Sequence, residues 1–190
     1  MTKETTNKKV IIIGVVVAVA AIVAAIGIGI HNTIIAKGET VDSAYSTIET
    51  TLQRRNDLIP NLVSTVKGYA THEEQVFADV TKAREALLGA KGVDATSKAN
   101  SDLNNALGRL LAIAENYPDL KASANFLNLQ DELAGTENRI NVARQEYNDK
   151  AREYNTYIKQ FPQSLLKGGA TEKQYFEAEA GATEVPKVEF

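Results

Sequence analysis

The sequence predicts an all-α protein: an N-terminal transmembrane helix that continues into an up-and-down four-helix bundle with long helices. Three observations point there. Residues 10–30 are drawn only from Val, Ile, Ala and Gly, 21 in a row. Downstream, apolar residues recur in alternating steps of four and three over long stretches. Strand signals are scarce, with neither Asn-Gly nor Asp-Gly present and only four prolines, Pro60, Pro118, Pro162 and Pro186.

The apolar run comes first. At about 1.5 Å per residue it makes a helix roughly 31 Å long, close to the thickness of a bilayer's hydrocarbon core. A secretory signal peptide is the rival reading, but its apolar region is usually about 7–15 residues. A retained anchor is therefore expected. Residues 1–9 carry Lys3, Lys8 and Lys9 against Glu4, whereas the 20 residues after Ile30 carry Lys37 as their firm positive charge. The positive-inside rule then puts the N-terminus in the cytoplasm and the domain outside the cell membrane, in a single-pass arrangement. Within the span Ala21, Ala25 and Gly29 recur every four residues. Such a row of small side chains lets two membrane helices approach closely, although Ala and Gly are common throughout this run.

The first bundle helix follows without a break, since residues 31–40 hold one Gly and no Pro. Its apolar register runs Val41, Tyr45, Ile48, Leu52, Arg55, Ile59, Leu62, Val66, Tyr69, Glu73, Val76, Val80, Ala83 and Leu87. The mean step is about 3.5 residues, the heptad period of packed, coiled-coil-like helices. Arg55 and Glu73 are the two charged members. Pro60 should kink the helix near Asn56. Thr71-His72-Glu73-Glu74 has capping-box form, so the first helix is expected to end near Ala70 and a second to run over about residues 72–88. Gly89-Ala-Lys-Gly92 reads as a loop. A third helix is expected over about residues 95–115, with Leu103, Leu107, Leu110 and Ala114 on one face, broken by Asn116-Tyr-Pro-Asp119. The last helix carries Phe126, Leu129, Leu133, Thr136, Ile140, Ala143, Tyr147, Ala151, Tyr154, Ile158 and Phe161 on one stripe, and Phe161-Pro162 ends it. The resulting segments are residues 1–9 in the cytoplasm, the span 10–30, a bundle domain 31–167, and an acidic C-terminal tail 168–190 expected to be loosely ordered.

Several stretches are similar to the LemA family. Gln53-Arg-Arg-Asn-Asp-Leu-Ile-Pro-Asn-Leu-Val63 and Val66-Lys-Gly-Tyr-Ala-Thr-His-Glu73 resemble its signature. Glu115-Asn-Tyr-Pro-Asp-Leu-Lys-Ala122, Phe126-Leu-Asn-Leu-Gln130 and Glu137-Asn-Arg-Ile140 resemble a second block. Tyr147-Asn148, Tyr154-Asn155 and Phe161-Pro162 continue it, and Tyr175-Phe-Glu-Ala178 with Val185-Pro-Lys-Val188 resembles the C-terminal end. The resemblance implies a bacterial single-pass membrane protein with a four-helix bundle and no settled activity. Some relatives are associated with specialised intracellular membranes.

Chemistry-bearing constellations are few. Cysteine is absent and there are two histidines, His31 and His72. Thiolate sites, disulfides and multi-histidine metal sites are thereby excluded. No Gly-x-Ser-x-Gly or phosphate-loop pattern occurs. No catalytic residue, metal site or cofactor is therefore expected. Residues 31–190 carry 18 Lys and Arg against 23 Asp and Glu, a net charge of −5 that disfavours nucleic acid as partner. The densest polar cluster is Arg54-Arg55-Asn56-Asp57. Arg55 needs a carboxylate, and Glu73, Glu132 and Glu137 are the candidates; a structural role is the simplest reading. In His72-Glu73-Glu74 adjacent residues do not share a helix face, so metal ligation is disfavoured. Asn141, Asn148 and Asn155 recur every seven residues and form an amide stripe suited to bonds within the bundle or to a neighbouring protomer. The expected function is a non-enzymatic, membrane-anchored bundle that self-assembles as a homo-oligomer or acts as a scaffold at the membrane. The alternatives are an adaptor for a membrane-protein partner such as a protease, and a membrane-bound hydrolase.

Overall fold

The structure, a computed structural model, describes residues 2–70 and 72–177, with side chains from Ile11 onward. The expected Thr71 cap, the side chains of Lys3, Lys8 and Lys9, and the tail beyond Glu177 lie outside the described residues. The described residues form six helices and no strand: α1 Thr2–Lys67, α2 Glu74–Gly89, α3 Val93–Ala114, α4 Pro118–Lys121, α5 Ala124–Lys159 and α6 Gln163–Leu166. The chain divides into two compact units, Met1–Asp42 with Lys150–Lys173, and Ser43–Asp149 with Gln174–Phe190. The division falls inside α1 and α5 because these helices, 66 and 36 residues long, outlast α2 and α3, which have 16 and 22.

The larger unit is a four-helix bundle whose core follows the heptad stripes. From α1 it buries Ile48, Leu52, Arg55, Ile59, Leu62 and Val66. From α3 it buries Leu103, Leu107, Leu110 and Ala114, and from α5 Phe126, Leu133, Thr136, Ile140, Ala143 and Tyr147. Thr136 is fully buried, and its hydroxyl donates to the carbonyls of Glu132 and Leu133 at 3.0 and 2.9 Å. A polar atom in the core is thus satisfied by its own helix.

The α1 register fails where the helix ends. Tyr69 is 43% exposed and Ala70 fully buried, because the N–H groups of Tyr69 and Ala70 both turn back to the Val66 carbonyl, at 3.0 and 2.9 Å. At the start of α2 Phe77 is buried rather than Val76, and the expected register is regained at Val80 and Leu87, both buried. The helix begins two residues later than expected: Glu73 takes the N-cap position at φ −100°, and Glu74 opens the first turn, where a carboxylate suits the helix dipole. α3 begins two residues earlier, after Gly92 at φ +81°, a left-handed conformation that glycine adopts without strain. Helical geometry runs through Pro60.

In the smaller unit Ile30, Ile34 and Val41 of α1 are buried, as are Ala151, Tyr154 and Ile158 of α5. Lys37 reaches Glu153 at 3.4 Å and lies 6.0 Å from the centre of the Tyr157 ring. Lys150 on one side and Lys37 on the other hold the Glu153 carboxyl below its ordinary range. The attraction is therefore present at neutral pH and lost as pH falls through that lowered value. N-terminal to this packing, α1 contains an 18-residue stretch of mean hydropathy 3.1, none of it buried. It is long and apolar enough to cross a membrane.

Phe161, expected as the last core residue, is 80% exposed. α5 stops at Lys159 and the chain has left the stripe before Phe161 is reached. The described start of the tail also departs from expectation. Residues 171–177 form a strap without regular secondary structure, with Phe176 only 5% exposed.

Ile140→Ala removes buried methylenes from the centre of the larger unit and should cost about 2–5 kcal/mol. Val142→Ala, 65% exposed two residues along, should stay within about 0.5 kcal/mol of the parent. Denaturant titration of both variants reads the difference; equal losses would place Val142 in a core.

Candidate functional site

Helical periodicity splits the Arg54–Asp57 cluster. Arg54 and Asp57 face outward. Arg54 meets Glu132 at 3.3 Å with both side chains more than half exposed, and Asp57 accepts from Gln53 Nε2 at 2.9 Å. Arg55 and Asn56 face inward, at 5% and 2% exposure.

Arg55 joins three helices. Its Nη1 lies 2.7 Å from Glu137 Oε2 on α5 and donates to Asn100 Oδ1 on α3 at 2.9 Å. Its Nη2 donates to Asn104 Oδ1 at 2.5 Å. Asn100 and Asn104 are four residues apart, so both present to one face of α3. Of the three carboxylates weighed for Arg55, Glu137 is the one in contact. Glu132 pairs with Arg54, and Glu73 sits half-exposed at the start of α2. The two asparagines were missed in sequence because uncharged amides do not advertise a partner.

Asn56 contributes its backbone. Pro60 has no N–H, so the carbonyl four residues earlier loses its helical donor. That carbonyl belongs to Asn56, and Arg84 Nε of α2 donates to it at 3.0 Å. The proline that weakens α1 thus supplies the acceptor to which α2 docks.

The asparagine stripe is used inside the chain. Asn148 Nδ2 donates to the Phe176 carbonyl at 2.8 Å, and its Oδ1 accepts from the Phe176 N–H at 2.9 Å. Asn155 does the same with Lys173, at 2.8 Å in both directions. Each side-chain amide replaces the neighbouring strand that a strap residue lacks. These two amides therefore do not form the open stripe that a neighbouring protomer would need, and Asn141 is exposed.

Around Phe176 the larger unit gathers aromatic rings. Phe176 lies edge-on to Tyr147 at 5.3 Å between ring centres and stacks on Tyr45 at 6.3 Å. The Arg144 guanidinium sits 5.3 Å from its ring centre. The Tyr147 hydroxyl donates to the Gln174 carbonyl at 3.0 Å. In the smaller unit Lys173 reaches Asp42 at 2.6 Å and Lys159 reaches Glu172 at 2.7 Å.

The remaining candidates stay apart. His31 and His72 are exposed, and among the described residues no three His, Asp or Glu side chains are placed to hold a metal ion. Ala21, Ala25 and Gly29 lie exposed on α1, and the Gly29 carbonyl accepts from the Thr33 hydroxyl at 2.8 Å. A surface hollow between α1 and α2 is lined by Ile59, Pro60, Val63, Ser64, Lys67, Thr81 and Arg84. Arg55 and His72 are not part of it.

The model of the LemA family matches residues 44–190. The magnetosome protein MamQ 2 of Paramagnetospirillum magneticum is 28% identical over 82% of this chain and 68% of its own length. The magnetosome protein MamQ of Magnetospirillum gryphiswaldense gives the same figures. Protein LemA of Metamycoplasma hominis is 28% identical over 70% of this chain and 62% of its own length.

Arg55→Ala leaves Glu137 and two amides without their buried partner and should cost about 3–5 kcal/mol. Arg54→Ala, an exposed pair, should cost about 1 kcal/mol or less. Chemical denaturation of the two variants should separate them. In the strap, Asn148→Ala removes two hydrogen bonds and should cost about 1–3 kcal/mol. Amide exchange at Phe176 should accelerate; unchanged exchange would mean that the aromatic packing alone holds the strap.

Proposed function

This chain belongs to the LemA family, and we propose that it acts as a membrane-anchored helical bundle, a non-enzymatic scaffold that assembles with itself at the membrane. The observation that carries this reading is the use made of Arg55. The buried charge cluster at Arg55, which has the makings of a binding site, is spent on joining α1, α3 and α5. Asn148 and Asn155 are likewise spent on the strap. Outward lie an apolar helix and the sides of long helices, which are means of anchorage and assembly.

Residues 10–30 serve as a single membrane span. The charge difference between Lys3, Lys8 and Lys9 before it and Lys37 after it favours a cytoplasmic N-terminus and an extracytoplasmic domain. That two relatives are named as magnetosome proteins supports a place at a membrane and leaves the partner open. Self-association through Ala21, Ala25 and Gly29 rests on close approach of helix backbones, which bulky side chains prevent.

Protease added to intact spheroplasts should digest the domain; complete protection would place it in the cytoplasm. Full-length protein in mild detergent should run as an oligomer by light scattering. Ala25→Leu together with Gly29→Leu should lower its mass while leaving helix content unchanged. A monomer at full length would move the weight to an adaptor for another membrane protein. An oligomer indifferent to both substitutions would place its interface on the bundle.

A further inference from the structure

The corner between α5 and α6 leaves three large apolar side chains in the open. Phe161 is 80% exposed, Leu165 75% and Leu166 42%. They follow one another within six residues at the end of a helix whose preceding stripe is buried through Ile158. A soluble surface scatters its exposed hydrophobes, so a cluster of this kind marks a contact.

Its position identifies the contact. In the smaller unit α5 runs back along α1. Gly38 faces the Tyr154 ring, where an added Cβ would lie 3.7 Å from Cε2, and Lys37 meets Glu153 and Tyr157. From Tyr154, seven residues onward is Phe161. From Gly38, seven residues back is His31, the first residue beyond the apolar run. The burial of Ile34 and Ile30 extends the packing of α1 down to that same level. The exposed corner therefore arrives where the span ends. Lys159 and Lys167 bracket it, Lys159 paired with Glu172, and long basic stems of this kind suit a site where lipid headgroups give way to acyl chains.

We propose that Phe161, Leu165 and Leu166 form a second membrane contact, dipping into the outer acyl boundary of the same bilayer that α1 crosses. The inference rests on the anchor reading of residues 10–30. The occupant is lipid: counted from the contact of Gly38 with Tyr154, the patch reaches the level at which the apolar run ends. Two contacts of unlike kind would fix the tilt and rotation of the smaller unit against the membrane, which a lone helix leaves free.

The absence of cysteine makes the test direct. Full-length Leu165→Cys and, separately, Ile22→Cys carry an environment-sensitive fluorophore and are reconstituted into phosphatidylcholine–phosphatidylglycerol vesicles. The vesicles contain lipids with a nitroxide quencher either near the headgroup or near the bilayer centre. The expected result is a blue-shifted Leu165 probe quenched mainly by the shallow nitroxide, and an Ile22 probe quenched mainly by the deep one. Adding Phe161→Glu should return the Leu165 probe toward its emission in water. A deeply quenched Ile22 probe beside an unquenched, water-like Leu165 probe overturns the second contact and leaves the anchor standing. A blue-shifted Leu165 probe indifferent to both quenchers places the patch against protein, such as a second copy, and overturns it equally. An Ile22 probe that neither lipid quenches removes the anchor reading and this inference with it.

Discussion

Arg55 is a cation at a core position, and the larger unit is arranged around the need to satisfy it. A buried guanidinium left alone would be ruinous; one that meets a carboxylate and two amide oxygens is tolerable. Those acceptors come from α3 and α5, and each must arrive at the right height along its helix. A slip of one helical turn in either would strand the charge. Apolar stripes of Leu, Ile and Val do not discriminate so sharply between neighbouring registers. Replacing such a buried cluster by well-packed hydrophobes often changes stability little, so what an arginine here offers is a means of favouring one alignment of three helices.

The same economy governs the C-terminal strap. A strap lying on a helix has no neighbouring strand to bond, so its backbone groups must find side chains. Asparagine offers a donor and an acceptor at the end of a short stem, which is what the backbone of one strap residue requires. Asn148 and Asn155 each serve one such residue, Phe176 and Lys173. Phe176 then adds its ring to those of Tyr45 and Tyr147, which makes the strap part of the fold rather than an appendage.

The heptad periodicity made most of the fold legible. From Val41 to Val66 and from Leu133 to Ile158 the residues expected inside are buried, apart from the part-buried Tyr45. Periodicity failed where helices end, at Tyr69 and Phe161, because a stripe drawn through a sequence does not know that the backbone has stopped turning. The polar sites were half legible. Arg55 stood out as a charge on an apolar stripe, and Glu137 was among its candidate partners. Asn100 and Asn104 gave no sign, since each reads as an ordinary polar residue of an amphipathic helix. The described start of the tail, around Lys173 and Phe176, was misread for a related reason. Its composition is that of a disordered segment, but order in such a strap comes from the side chains beneath it, and composition is blind to those.

Pro60 shows how a local defect becomes a tertiary contact. In a straight helix its ring removes one hydrogen bond and leaves the Asn56 carbonyl bare, a loss that a lone helix would have to cover with water. Here Asn56 is only 2% exposed, so water is a poor substitute and the bundle must provide a donor. Arg84 provides it from α2. The donor has to be long enough to cross from one helix to the next, which the arginine side chain is. Neighbouring residues of α1 thus face opposite problems: Arg55 brings donors that need acceptors, and Asn56 brings an acceptor that needs a donor. Arg55 is answered from α3 and α5 and Asn56 from α2, so all three helices are tied to one turn of α1.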